Sequence, residues 1–134
     1  MCFHLALWRE VYFFALCQNK DVDRDGFLHG IGLFNHAEFF DAHEVLEDVW
    51  RATTGEEKKF LQGLIQVAVA FHHHSTGNKV GACSLLARSA KNLDSYPGNF
   101  AGIRLTALLE SLAQWREALD SGSALPSLPR IEML

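Results

Sequence analysis

The spacing of apolar side chains predicts helices from about Gly26 onward. Phe27, Ile31 and Phe34 recur at i, i+4 and i+7, which marks one face of a helix over Gly26–Asn35. A short break at Asn35-His36-Ala37 leads into a second helix over about Glu38–Ala52, on which Phe39, Ala42, Leu46, Val49 and Trp50 share a face. Thr53-Thr54-Gly55 reads as a loop, and Glu56-Glu57 as the acidic first turn of a third helix. From Phe60 to Phe71 that helix carries no charged residue and is apolar round most of its circumference. Such a helix is surrounded by others, and this one is too short to span a bilayer. Gly77 can supply its left-handed C-terminal residue.

Asn78 is placed to cap a fourth helix over about Lys79–Asp94, with Ala82, Leu85, Leu86, Ala90 and Leu93 inward and Lys79, Arg88, Lys91 and Asn92 outward. Tyr96-Pro97-Gly98-Asn99 is a turn. A fifth helix over about Ala101–Leu119 buries Leu105, Leu108, Leu109, Leu112 and Leu119. From about Ser121 the chain carries Pro126 and Pro129, which bar a helix, and is expected to pack extended through Leu125, Leu128 and Ile131.

No strand pattern interrupts this series, and short loops between long helices imply antiparallel neighbours. The expected fold is all-α: a compact bundle of about five antiparallel helices arranged as tetratricopeptide-like hairpins, with an extra N-terminal helix. The hairpin detail rests on an echo, Ala42 followed by Leu46 and Ala82 followed by Leu86. Its forty-residue spacing suggests hairpins rather than a true repeat array. Residues 23–134 form the expected single domain, with an extended Pro-containing segment from about 121, and residues 1–22 an extension. Phe3–Leu16 is apolar almost all round, so it needs cover. A homodimer through that helix is one expectation, and a misassigned start codon is another reading of the extension. His4, Arg9 and Glu10 interrupt the apolar run, which argues against a signal peptide or a membrane span.

Composition narrows the function classes. A chain of 134 residues that is 49% hydrophobic and 21% charged is a soluble globular domain in balance. A formal charge of −4 leaves no basic footprint for nucleic acid. Cys2, Cys17 and Cys83 have neither metal spacing nor framework density, so reduced thiols and a cytoplasmic location are expected. Asp21-Val-Asp23-Arg-Asp25-Gly26 imitates the start of an EF-hand loop, but Gly32 stands where the twelfth-position glutamate is required. The segment instead reads as an acidic turn with Asp25 as helix N-cap. There is no phosphate-binding glycine loop, no nucleophile elbow and no Glu-x-x-His pair.

The polar residues on the second helix carry the candidate chemistry. On a helical wheel His43 falls beside Trp50, and Glu47 between His43 and Phe40, while Glu44 lies at the rim. His43 and Glu47 are therefore expected to be partly buried and to need partners. Gln62, Gln66 and His73 form a stripe on the third helix that could supply them, with Asn35 nearby. Three readings stand: a structural hydrogen-bond network, a metal site, or acid–base chemistry in which Glu47 orients His43. The metal reading places a divalent transition metal on His43, Glu47 and His73. The acid–base reading uses His43, Glu44 and Glu47. Consecutive helical residues point 100° apart, so of His72-His73-His74 only His73 is expected to face the cluster.

These residues bring out a resemblance. Phe34-Asn35, Phe39-Phe40-x-Ala42-His43-Glu44-x-x-Glu47-x-x-Trp50 and Phe60-Leu-Gln-Gly-Leu-Ile-Gln66-x-Ala68 are its first elements. His72-His73, Gly77-Asn78-x-x-Gly81-Ala82, Tyr96-Pro97, Gly102-Ile103 and Trp115 follow in order. The chain resembles the prokaryotic domain-of-unknown-function family numbered 309, small all-helical proteins, over about Asp25–Leu119. The resemblance implies a compact helical fold without an established activity. Its motif positions fall on His43, Glu44, Glu47, Gln62 and Gln66, with Asn35 and Trp50 alongside. Two function classes remain: a small enzyme or metal-binding protein using His43, Glu44 and Glu47, or a helical interaction module for a peptide or a second copy of the chain. The identity of any small-molecule or peptide ligand stays open.

Overall fold

The structure, a computed structural model, describes residues 23–134. The N-terminal extension, and with it the expected N-terminal helix and the dimer through it, lies outside the described residues. Five α-helices follow in order: α1 Arg24–Asn35, α2 Phe39–Arg51, α3 Glu56–Ser75, α4 Lys79–Leu93 and α5 Leu105–Ser121, with a 3-10 turn at Phe100–Gly102 before the last. Among the described residues the only extended pairing is an isolated antiparallel bridge between Ile103 and Met133. The all-α expectation is met. No helix among them is long and apolar enough to cross a membrane.

α3 is the centre, as its uncharged middle predicts. Phe60, Leu61, Leu64, Val67, Ala68, Ala70 and Phe71 are all buried. The most extensive packing is of α4 on α3, followed by α2 on α1 and on α3. Two glycines set how closely the pairs approach. A Cβ on Gly30 would stand 2.6 Å from Leu46 of α2, and one on Gly63 2.7 Å from Leu93 of α4, so a methyl at either crossing would force the leucine aside. An aromatic column joins the layers. Phe39 packs on Phe71 with centroids 5.5 Å apart, and Trp115 of α5 meets Phe71 edge-on at 5.0 Å.

Helix limits depart from expectation in two places. The N-cap of α1 is Asp23, whose side chain accepts from the Gly26 N–H at 3.2 Å. Asp25, the expected cap, instead stands in the first turn, where its charge still favours the helix dipole. α5 begins at Leu105 rather than Ala101, because Ala101 and Gly102 have φ of 57° and 78° and cannot continue a right-handed helix.

After α5 the chain carries no further helix and forms a strap, whose inward positions are not the expected Leu125, Leu128 and Ile131 together. Pro129 and Ile131 are buried and Met133 is half-buried, the alternation of an extended chain with one face inward. Leu125 and Leu128 fall out of phase and are 45% and 46% exposed, against 1% for Ile131.

Candidate functional site

α2 carries the His-Glu-x-x-Glu segment on its outer flank. The His43 Nδ1–H donates to the Phe40 carbonyl at 3.1 Å, which leaves Nε2 free of that bond. Nε2 faces Glu47 Oε1 at 3.8 Å, beyond hydrogen-bond reach. The same Oε1 lies closer to Arg51, at 3.4 Å, and Arg51 also donates to Asp48 at 2.8 Å. Glu44 is exposed. Both residues expected to be partly buried are so, His43 at 23% exposure and Glu47 at 38%. Their partners, however, come from α2 itself.

The expected meeting of His43 and Glu47 with the glutamine stripe does not occur. Gln66 accepts from Asn92 Nδ2 of α4 at 2.8 Å, His73 Nδ1 lies 3.4 Å from Asn78 Nδ2 at the start of α4, and Gln62 is exposed. Gln66 and His73 thus serve the α3–α4 side. A wheel gives angular position on a helix without saying which neighbour covers each arc, and the arc of Gln66 and His73 faces Asn92 and Asn78. The histidine nearest the α2 cluster is His72 rather than His73: the Phe40 ring sits between His43 and His72 with centroids 5.3 Å from each. His74 meets Trp115 edge-on at 5.1 Å. Among the described residues no three His, Cys, Asp or Glu side chains gather as a group that could hold a metal ion.

Trp50 belongs to the end of α2. Lys58 Nζ stands 4.0 Å over its ring and donates to the carbonyls of Trp50 at 2.9 Å and Thr53 at 3.1 Å, so one cation closes the helix end and stacks on the indole. The Trp50 Nε1–H is buried without a hydrogen-bond partner.

Asn35 leaves the cluster altogether. From the last residue of α1 its Nδ2 donates to the Ile131 carbonyl at 2.9 Å, and its Oδ1 accepts from the Ile131 N–H at 2.7 Å. Arg130 adds a bond from its guanidinium to the Asn35 carbonyl at 3.3 Å. The rest of the strap is held by its backbone. Trp115 Nε1 donates to the Ser127 carbonyl at 2.9 Å. The Arg104 N–H donates to Glu132 at 2.8 Å, and the Leu134 N–H to Gly102 at 2.9 Å. Ile131, Trp115 and the Gly102–Arg104 turn therefore complete a seat that sequence reasoning missed. Its legible signal was the inward alternation of Pro129, Ile131 and Met133.

The comparisons with known proteins fall on the same helices. The family described as "Domain of unknown function (DUF309)" matches residues 27–85, from α1 into α4. An "Uncharacterized protein" of Aquifex aeolicus (strain VF5) is 37% identical over 73 residues, 54% of this chain and 22% of that protein. The "Uncharacterized protein YpuF" of Bacillus subtilis (strain 168) is 32% identical over 94 residues, 68% of this chain and 54% of its own length. The chain thus spans about half of one relative and about a fifth of the other. Asn35, the His43–Glu47 segment, Trp50 and the α3 stripe all lie within the matched helices, and residues 27–85 are the part of the chain that matches the family of unknown function DUF309.

Proposed function

We propose that the chain is a helical binding module that seats an extended peptide segment at the end of α1, and that His43, Glu44 and Glu47 serve α2 rather than a reaction. The observation that carries this reading is the two-way contact of one carboxamide with Ile131. A side-chain amide that donates to the carbonyl and accepts from the N–H of one residue reads an extended backbone whatever its side chain. The buried Ile131 supplies an apolar anchor, and the strap's own sequence occupies the seat. A cytoplasmic setting goes with this reading, with Cys83 a free thiol.

The test is a fluorescence-anisotropy titration of a labelled peptide, Ser127–Leu134, into full-length Ile131→Asp, whose own strap is disengaged. Saturable binding that Asn35→Ala removes in the same background supports the module. Equal binding with and without Asn35 overturns it. The displaced alternative puts a divalent transition metal on His43, Glu47 and His73, or acid–base chemistry on His43, Glu44 and Glu47. Elemental analysis of protein purified without chelators separates the metal form, since a stoichiometric transition metal lost in His43→Ala would restore it.

A further inference from the structure

We propose that the face made by α2, α3 and α4 docks a second copy of this chain about a two-fold axis, the acidic edge of each copy lying on the basic edge of the other. This surface is separate from the Asn35 seat and does not depend on it.

The three helices present one surface. Phe40 beside His72 and Lys58 over Trp50 join one flank of α3 to α2, while Asn92 at Gln66 and Asn78 at His73 join the other flank to α4. Between these flanks the outer arc of α3 carries exposed Gln62 with half-buried Ile65 and Val69. The two edges of the face differ in charge. α2 carries Asp41, Glu44, Glu47 and Asp48 against Arg51, whereas α4 carries Lys79, Arg88 and Lys91 and no carboxylate between Lys79 and Leu93. Arg51 pairs with Glu47 and Asp48. Glu44, Arg88 and Lys91 are exposed and make no ion pair among the described residues.

Charge and symmetry select the occupant. A rotation that lays the α2 edge of one copy on the α4 edge of another also lays the second α2 on the first α4. Each charge match is then made twice and the pair closes. Laying α2 on α2 would instead oppose carboxylates. Phe40, 48% exposed, and the Ile65–Val69 arc supply an apolar centre. Three helices each about 10 Å wide and about 20 Å long offer roughly 600 Å² per copy, the lower end for a specific interface. The product is a weak dimer whose affinity falls as salt screens the edges.

Charge reversal tests the pair. In sedimentation equilibrium the full wild-type chain should dimerise at low salt, about tenfold more tightly than at high salt. The chain carrying Glu44→Lys with Glu47→Lys should be monomeric, and so should the chain carrying Arg88→Glu with Lys91→Glu. Mixed together the two should pair, since each supplies the sign that the other lacks, and native mass spectrometry should find the mixed dimer. A wild type that stays monomeric at low salt overturns the proposal. So does a dimer that survives either reversal, which places the second copy on another surface. Two reversed chains that fail to pair when mixed overturn it as well. Should a reversed chain fail to fold, the wild type decides: a dimer as tight at high salt as at low refutes the charged pairing.

Discussion

The α1–α2 and α3–α4 hairpins close with the same backbone turn forty residues apart, and they use it differently. In the first, His36 N–H bonds to Gly32 and Leu33, Ala37 to Phe34 and Glu38 to Leu33. In the second, Thr76 bonds to His72 and His73, Gly77 to His74 and Asn78 to His73. Ala37 and Gly77 both take positive φ, 62° and 87°. The echo between Ala42 and Ala82 therefore extends through the turn. What differs is chemistry at matched positions. The second turn has glycine at the left-handed residue and Asn78 capping Gly81 at 2.9 Å, the residues such a turn favours. The first has alanine there, and Glu38 makes no side-chain cap bond. Just before the turn, Ser75 bonds back to His72 of its own helix, whereas Asn35 reaches Ile131 across the chain. The first hairpin has a less favourable turn and carries the longer-range contact.

Substitutions at the matched pairs test this contrast. Asn35→Ala should cost the most, about 2–3 kcal/mol in chemical denaturation, because two hydrogen bonds go and the Ile131 N–H is left unmet in a half-buried place. Ser75→Ala, at the matching exposed position, should change stability by less than about 0.5 kcal/mol. Equal effects would erase the distinction between the hairpins. Next come Asn78→Ala, losing a cap, and Gly77→Ala, forcing a side chain into φ 87° in otherwise open space. Each should cost about 1 kcal/mol by thermal melt. Ala37→Gly should act in the opposite direction and stabilise by about 0.5 kcal/mol, since the exposed Ala37 makes its turn at a steric cost that glycine avoids. A loss there would mean that Ala37 is not strained. Smallest of all, Glu47→Gln should shift stability by less than about 0.5 kcal/mol, because its ion pair with Arg51 is exposed and within one helix. A loss of several kcal/mol would reveal a buried network at His43–Glu47.

Much of the fold was legible because apolar spacing is local: Phe27-Ile31-Phe34 and the uncharged run in α3 mark their helices without reference to anything distant. The turn at Gly77-Asn78 was equally readable from residue chemistry. Asp23 was missed in favour of Asp25 because neighbouring aspartates offer the same side chain, and the backbone φ and ψ decide which one caps. The site was legible in its residues and not in their partners. His43 and Glu47 are half-buried as the wheel implies, but Gln66 turned to Asn92, since an angle on one helix does not say which helix lies across from it. Asn35 is expected near the cluster, yet its partner lies 96 residues away on a strap whose inward register no helical period describes.

Asn35 holds the strap by its backbone, and amide hydrogen exchange at Ile131 reads that contact without an intermediary. In wild type the Ile131 N–H should exchange at least about a hundredfold more slowly than in an unstructured chain, as a bonded amide beside a buried side chain does. In Asn35→Ala that protection should collapse at Ile131 while the α3 amides keep theirs. Ile131 protection unchanged in Asn35→Ala would show that Asn35 does not hold the strap.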